Sequence, residues 1–208
     1  MELHQSHSAA VLYLHGKGGN AAEADHYRPL FPFCDVIGLD YRSDTPRKAA
    51  EEIRQAMDGL KRRYGEITLV ANSIGAFFAL YSGVGDLIRR AYLISPVVDL
   101  EALILGMMAR EGVREEDLRV RGTVPTASGD VLSWEVLCDL RSHPIRWDVP
   151  THILYGGRDL LVPYEAVRAF SEAHHARLTV MEEGEHWFHT EEQMKFLDAW
   201  IRAGWTAE

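Results

Sequence analysis

Three residues that could together perform acyl transfer each follow a short apolar run of this sequence. They are Ser73 in ANSIGA, Asp159 in GGRDLLVP and His186 in EEGEHWFHT. A serine hydroxyl is a weak nucleophile until a base removes its proton, and an imidazole does so best when a carboxylate fixes its tautomer. In the chain order Ser, Asp, His, these residues predict a nucleophile, an orienting carboxylate and a general base.

Ser73 lies where a predicted strand gives way to the apolar helical segment FFALYSG. A nucleophile on such a sharp turn is held in a strained conformation, and bulky side chains two positions before or after it would clash. Ala71 and Gly75 are both small enough. Alone, the pattern also fits an ordinary turn with a serine helix cap, so it gains weight only beside the other two residues.

Each assignment has an alternative. Asp159 could be a surface carboxylate paired with Arg158, and His186 could be a solvated histidine among glutamates. His189 is the nearest rival base. The rival carboxylates, all inside a long insertion, are Asp130, Asp139 and Asp148. Placement of Ser73, Asp159 and His186 just past three predicted strands favours a joint site at one edge of a sheet.

The stretch LYLHGKGGN (12–20) ends an apolar run on a histidine and three glycines, which suits a backbone that holds a negative group. One interpretation is a dinucleotide site, because GKGGNA matches G-x-G-x-x-A and Asp40 ends the next predicted strand. However, the segment that follows, AEADHYRPLFPF, carries two prolines and predicts a poor helix for binding a pyrophosphate. A Walker loop is excluded because glycine, rather than Ser or Thr, follows Lys17. We therefore expect the loop to hold an oxyanion, with His15 holding the loop by hydrogen bonds.

Six apolar runs predict strands, and most are continuous rather than alternating, as is typical of a parallel sheet covered on both faces. They are Ala10–His15, Asp35–Asp40, Glu66–Asn72, Ala91–Pro96, Thr151–Gly157 and Ala176–Glu182. Helical patterns lie between and after them, including 45–65, 163–175 and 190–204. This alternation predicts an α/β fold with a doubly wound, mostly parallel sheet of about six strands and helices on both faces.

Residues 97–149 separate two predicted strands, although a crossover needs only about a dozen residues. They contain a helix candidate rich in Leu and Met (99–112), a turn-rich stretch (121–130) and a second helix candidate (131–143). We expect a single domain over 1–208, with 97–149 as a small helical cap insertion over one end of the sheet.

Composition narrows the possible partners. The net charge of −9 argues against nucleic acid or an anionic membrane as the main partner. No apolar run approaches the ~18 residues of a membrane span, and MELHQSHSAA lacks the pattern of a secretory signal, so a cytoplasmic protein is expected. Cys34 and Cys138 are expected to be reduced, buried thiols. No cluster has the spacing of metal ligands, and the oligomeric state cannot be predicted.

Together, HGKGG, ANSIGA, GGRDLLVP and GEHWF resemble the α/β-hydrolase family over nearly the whole chain, in a layout similar to small bacterial carboxylesterases. The resemblance implies a Ser–His–Asp triad, an acyl-enzyme intermediate and no cofactor. It also implies an oxyanion hole made of two backbone N–H groups, those of Ile74 and Lys17, with Gly18 as the alternative to Lys17. Ala71 departs from the glycine that the family more often has there.

We therefore expect a serine hydrolase that cleaves a small carboxylic ester, with thioesters, lactones and peptides as open alternatives. Dinucleotide binding through GKGGNA and Asp40 is a second possibility, and a binding protein of the same fold without useful catalysis is a third. Apolar side chains that could line a substrate pocket, or could equally serve packing, are Leu103, Met107, Trp134 and Trp187.

Overall fold

The computed structural model describes residues 8–43 and 45–206. These residues form two compact units. The first unit contains the described residues up to Val98 and from Arg146 onward, and the second is Asp99–Ile145.

The described residues contain eight strands and seven α-helices. The strands are β1 (Ala9–Leu14), β2 (Asp35–Gly38), β3 (Glu66–Asn72), β4 (Arg90–Ile94), β5 (Thr123–Pro125), β6 (Val131–Ser133), β7 (Thr151–Gly156) and β8 (Arg177–Met181). The helices are α1 (Pro46–Lys61), α2 (Ile74–Ser82), α3 (Leu100–Glu111), α4 (Glu115–Arg121), α5 (Trp134–Ser142), α6 (Tyr164–Ala173) and α7 (Glu191–Thr206). Two short 3₁₀ helices cover Ala21–Leu30 and Gly85–Leu87.

Six strands of the first unit form one sheet in the order β2-β1-β3-β4-β7-β8. Every pair of neighbours is parallel, with Leu12 of β1 opposite Ile37 on one side and Leu69 on the other. The predicted doubly wound sheet of about six strands is confirmed. Strands β1, β3 and β7 are almost wholly buried, because helices cover both faces of the sheet.

Helix α1 shows how the sequence builds one of these covering layers. Pro46 occupies its first turn, where a missing backbone N–H costs nothing. Ala49, Ile53, Met57 and Leu60 recur at helical spacing and are buried, while charged residues occupy the other face. The helix therefore packs one apolar stripe inward, against α2 and β3.

One sequence expectation in the first unit needs correction. The last helix does not stop at Gly204 but continues to Thr206. Gly204 is a packing residue, since a Cβ there would lie 2.9 Å from Cε1 of the buried Tyr92 ring. The segment with two prolines forms a helix of the 3₁₀ type over Ala21–Leu30, capped by the Asn20 side chain.

The second unit consists of α3, α4, the antiparallel hairpin β5–β6 and α5. Arg141 of α5 bonds to Glu101 of α3 and to Glu115 of α4, each at 2.7 Å, and so ties the three helices together. The hairpin and α4 were not predicted. The helix expected from Val131 begins at Trp134, because residues 131–133 pair with β5 and the Ser133 side chain caps α5.

Two further observations concern the described residues of both units. Cys34 is buried as predicted, but Cys138 is exposed on α5, which corrects the expectation of two buried thiols. None of the helices within 8–43 and 45–206 is long and apolar enough to cross a membrane.

Candidate active site

Ser73 is the single residue between the end of β3 and the start of α2. Its backbone has φ 51° and ψ −120°, a left-handed conformation that a residue with a side chain rarely adopts. The Ser73 N–H donates to the carbonyl of Ile94 at 2.9 Å, and its carbonyl accepts the N–H of Val97 at 3.1 Å. The segment that ends β4 thus holds both backbone groups of the strained residue.

Gly75 allows this turn to pack beneath the neighbouring strand. A Cβ at this position would lie 2.4 Å from the carbonyl oxygen of His15 and 2.9 Å from that of Leu14. No side chain fits in that space, so the small residue expected two positions after Ser73 serves the close approach of α2 to the end of β1. The Ser73 side chain is consequently presented beside the loop that follows β1.

Asp159 lies in the loop after β7, and its side chain is fully buried. One carboxylate oxygen, Oδ1, accepts the backbone N–H groups of Leu161 at 2.8 Å and Val162 at 3.0 Å. The N–H of Arg158 donates to the carbonyl of Gly184 at 2.8 Å, which joins this loop to the loop after β8. Backbone N–H groups therefore hold one oxygen of the carboxylate, and a backbone bond ties its loop to the loop after β8.

His186, in the loop after β8, connects Asp159 with Ser73. Its Nδ1 lies 2.6 Å from Oδ2 of Asp159, and its Nε2 lies 2.8 Å from Oγ of Ser73. A carboxylate can only accept, so Nδ1 carries the proton and Nε2 is left free to accept from the serine hydroxyl. The three predicted side chains thus form one continuous chain of hydrogen bonds.

The rival residues have other partners. His189 donates from Nδ1 to the carbonyl of Trp187 at 2.7 Å. Arg158 forms an ion pair with Glu183, whereas Asp159 bonds to His186. Asp130 accepts from the Ser128 hydroxyl in the hairpin turn of the second unit.

The glycine loop, Gly16 to Asn20, lies directly against Ser73. A Cβ on Gly16 would be 3.2 Å from Cβ of Ser73 and 3.9 Å from its Oγ. Ile74 is the first residue of α2, at the helix end where N–H groups carry a partial positive charge. The backbone near Lys17 and the N-terminus of α2 therefore flank the Ser73 hydroxyl.

His15 and Tyr41 hold the start of the glycine loop. The His15 ring is buried and stacks on Tyr41, with ring centroids 4.2 Å apart, and its Nδ1 donates to the carbonyl of Gly16 at 2.8 Å. The Tyr41 hydroxyl donates to the His15 carbonyl. Burial raises the pKa of Tyr41, so its hydroxyl keeps this proton.

A second set of contacts at the loop was not anticipated from the sequence. Glu23 accepts the backbone N–H of Asn20 at 3.2 Å and the hydroxyl of Tyr13 at 2.6 Å. The pattern of Asn20 followed three residues later by Glu23 is a capping box, a local signal that could have revealed the first of these bonds. The bond to Tyr13 has no such signal, because it depends on the tertiary approach of the 3₁₀ helix to β1.

The predicted pocket residues fall in different parts of the chain. Leu103 and Met107 on α3, and Trp134 at the start of α5, are partly buried in the second unit. Trp187 in the first unit is 69% exposed and borders a cavity of about 180 Å³ beside Asn72. No group of three potential metal-ligating side chains occurs within residues 8–43 and 45–206.

The dinucleotide interpretation does not fit the fold. The usual dinucleotide-binding sheet has the strand order 3-2-1-4-5-6, whereas here β1 lies between β2 and β3. Asp40, the candidate ribose ligand, pairs with Arg42 at 3.1 Å on the surface.

The sheet order and the positions of these loops define the α/β-hydrolase fold. Est1E from Butyrivibrio proteoclasticus is 18% identical, with 96% of this chain and 88% of that chain covered at a TM-score of 0.73, and it has also been solved with ferulic acid bound. Alpha/beta hydrolase domain-containing protein 10 from mouse is 17% identical, with coverages of 93% and 88% and a TM-score of 0.72. Monoacylglycerol lipase from Paleococcus ferrophilus is 16% identical, with coverages of 93% and 93% and a TM-score of 0.63. No family model and no curated protein matches the sequence.

Proposed function

We propose that this protein is a serine hydrolase that cleaves a small carboxylic ester through an acyl-enzyme intermediate on Ser73. The observation that carries the proposal is the unbroken chain of hydrogen bonds from Ser73 through His186 to the buried carboxylate of Asp159. A histidine held in one tautomer, with its free nitrogen 2.8 Å from a serine hydroxyl, is arranged to take that proton.

In the first half-reaction His186 Nε2 removes the proton of Ser73 Oγ as the oxygen attacks the ester carbonyl. The negative charge that forms on the carbonyl oxygen is stabilised by the backbone N–H groups of Lys17 and Ile74, with Gly18 as the alternative to Lys17. The N-terminal end of α2 adds a favourable field at Ile74. His186 then gives its proton to the leaving alcohol, and the acyl group remains on Ser73.

In the second half-reaction the roles reverse. His186 removes a proton from water, which attacks the acyl-enzyme, and then returns the proton to Ser73 as the acid leaves. Throughout, the Asp159 carboxylate keeps Nδ1 protonated and stabilises the imidazolium that forms twice in each cycle. All these steps use groups of this chain, so no cofactor or metal is required.

The pocket residues expected from the sequence are all apolar, and that character favours an aliphatic or aromatic acyl group over a charged one. Est1E with ferulic acid and the monoacylglycerol lipase have the same fold, which suggests two ester types to test on this protein. A suitable panel contains p-nitrophenyl esters of increasing chain length, methyl ferulate, a monoacylglycerol, a thioester and a lactone.

The test is reaction with a fluorophosphonate, followed by mass spectrometry to locate the adduct. We expect a stoichiometric adduct on Ser73 and none in Ser73→Ala, whose ester hydrolysis should fall by several orders of magnitude. Ser82→Ala is the matched control, since Ser82 lies at the far end of the same helix and its hydroxyl donates locally, to the Ala79 carbonyl. A folded protein that takes no adduct and hydrolyses no ester of the panel would favour the alternative of a binding protein on this fold.

A further inference from the structure

The Glu23 side chain contacts the backbone of the glycine loop. Oε1 accepts the N–H of Asn20, the last residue of the loop, at 3.2 Å. A Cβ on Gly19 would lie 2.6 Å from the same oxygen, so the carboxylate packs directly on the loop backbone. Glu23 therefore determines how closely this part of the loop can approach the 3₁₀ helix.

The other oxygen of Glu23 connects the loop with the turn that carries Ser73. Oε2 accepts the hydroxyl of Tyr13 at 2.6 Å, and Tyr13, near the end of β1, is only 1% exposed. The side chains of Tyr13, Glu23 and Asn72 border the same cavity, and Asn72 is the residue directly before Ser73. Tyr13 is thus a bridge between the two segments, because its hydroxyl bonds to Glu23 on the loop side and it lines one cavity with Asn72 on the Ser73 side.

We propose that Glu23 and Tyr13 are positioning residues that hold the glycine loop at a fixed distance from the Ser73 turn. The inference rests on the proposed function, because these two segments supply the two proposed oxyanion donors, Lys17 N–H and Ile74 N–H. Donors of this kind stabilise the transition state only when both lie near 3 Å from one oxygen. A misplacement of about 1 Å can cost ~10²-fold in rate, so a bridge between the two segments has a direct catalytic consequence.

The bridge can be separated from the role of Glu23 in the capping box. The cap needs the bond from Asn20 N–H and the bond from Ala22 N–H to the Asn20 side chain, but it does not need Tyr13. Tyr13→Phe removes one hydroxyl from the bridge and leaves both capping bonds in place. Glu23→Gln keeps the length of the side chain but replaces one acceptor oxygen with an amide donor, so the Tyr13 hydroxyl and the Asn20 N–H no longer each have an acceptor oxygen of their own.

The chain offers a matched control. The Tyr64 hydroxyl donates to the Asp35 carboxylate at 2.7 Å, the same type of bond as that between Tyr13 and Glu23. Asp35 is the first residue of β2 and Tyr64 lies shortly before β3, at the opposite end of the strands from Ser73. Tyr64→Phe therefore removes an equivalent bond without touching the glycine loop.

The experiment measures the second-order rate constant for phosphonylation of Ser73 by a fluorophosphonate, together with kcat and KM for a p-nitrophenyl ester. In Tyr13→Phe and Glu23→Gln we expect phosphonylation and kcat to fall about tenfold with KM nearly unchanged, while Tyr64→Phe reacts as the wild type does. Wild-type phosphonylation rates in both folded bridge variants would overturn the proposal. So would an equal loss in the Tyr64→Phe control, which would indicate a general effect of lost stability.

Amide hydrogen exchange of residues 16–20 tests the positioning role by a measurement that does not depend on turnover. We expect faster exchange in the loop of Tyr13→Phe than in wild type or Tyr64→Phe. If wild type takes no adduct at all, the proposed function fails, and unchanged loop exchange would then separately overturn the positioning role. Faster loop exchange in that case would support the bridge as a device that orders the loop.

Discussion

Asp159 and His186 share a hydrogen bond of 2.6 Å between Oδ2 and Nδ1, while Oδ1 of Asp159 is occupied by the backbone N–H groups of Leu161 and Val162. The two oxygens of one buried carboxylate thus have separate tasks. Oδ1 shapes the loop after β7, and Oδ2 orients the imidazole toward Ser73. Substitutions can therefore separate folding from the proposed chemistry.

Asp159→Asn should keep the fold but lose the activity. The amide oxygen can still accept from Leu161 and Val162, so the melting temperature should change little. The amide NH₂ would then face Nδ1 of His186 and favour the tautomer with its proton on Nε2, which cannot accept from Ser73. We expect kcat for p-nitrophenyl acetate to fall ~10⁴-fold.

Asp148→Asn is the control, because Asp148 is exposed and lies outside the hydrogen-bond chain of the candidate site. It should leave both kcat and the melting temperature unchanged. An Asp159→Asn variant with near wild-type kcat would contradict the proposed role of Asp159.

The left-handed backbone of Ser73 predicts an unusual order of stability. Glycine adopts φ 51° at little cost, whereas alanine retains the strain of the wild-type residue. Ser73→Gly should therefore have a free energy of unfolding about 1 kcal/mol higher than Ser73→Ala in urea denaturation. At Ser171, inside α6, the order should be reversed, with glycine about 1 kcal/mol less stable than alanine. Equal stabilities of the two Ser73 variants would argue against the strain.

Substitution by alanine should have opposite effects on stability at Gly75 and at Gly59. Gly75→Ala places a methyl group 2.4 Å from the His15 carbonyl oxygen and should lower the free energy of unfolding by about 2 kcal/mol or more. Gly59 lies in α1, and a Cβ there meets nothing within 4 Å. Gly59→Ala should therefore raise the free energy of unfolding by roughly 0.5–1 kcal/mol. Chemical denaturation of the two variants tests both signs, and a tolerated Gly75→Ala would exclude the close contact.

The two cysteines should react with thiol reagents at very different rates. Cys138 is exposed, whereas Cys34 is buried, and its burial and the nearby Asp35 raise the pKa of its thiol. A raised pKa leaves less reactive thiolate at pH 8, so Cys34 should react slowly while the protein is folded. Titration with a disulfide reagent should show one fast thiol that disappears in Cys138→Ser, and a second thiol only after denaturation. Two fast thiols in the native wild type would contradict this prediction.

Local patterns were sufficient for most elements of the sheet unit. Strand β3 has the predicted bounds, and the other five strands of the sheet differ from prediction by one or two residues at their ends. These segments depend on apolar runs and helical periodicity, which neighbouring residues determine. The hairpin β5–β6 could not be predicted in this way, because its strands are three residues long and carry no periodic signal.

The candidate site, like the fold, could be predicted from the sequence only in part. The sequence by itself determined the residue types and their order: a serine between small residues, an aspartate and a histidine past later strands, and glycines after the first. Only the tertiary structure decided that His186 rather than His189 meets Ser73, and that Glu23, which holds the glycine loop, also bonds to Tyr13 of β1. The physical reason is that chemistry belongs to the side chains themselves, whereas hydrogen bonds between residues far apart in the chain exist only after the parallel strands have brought their ends together.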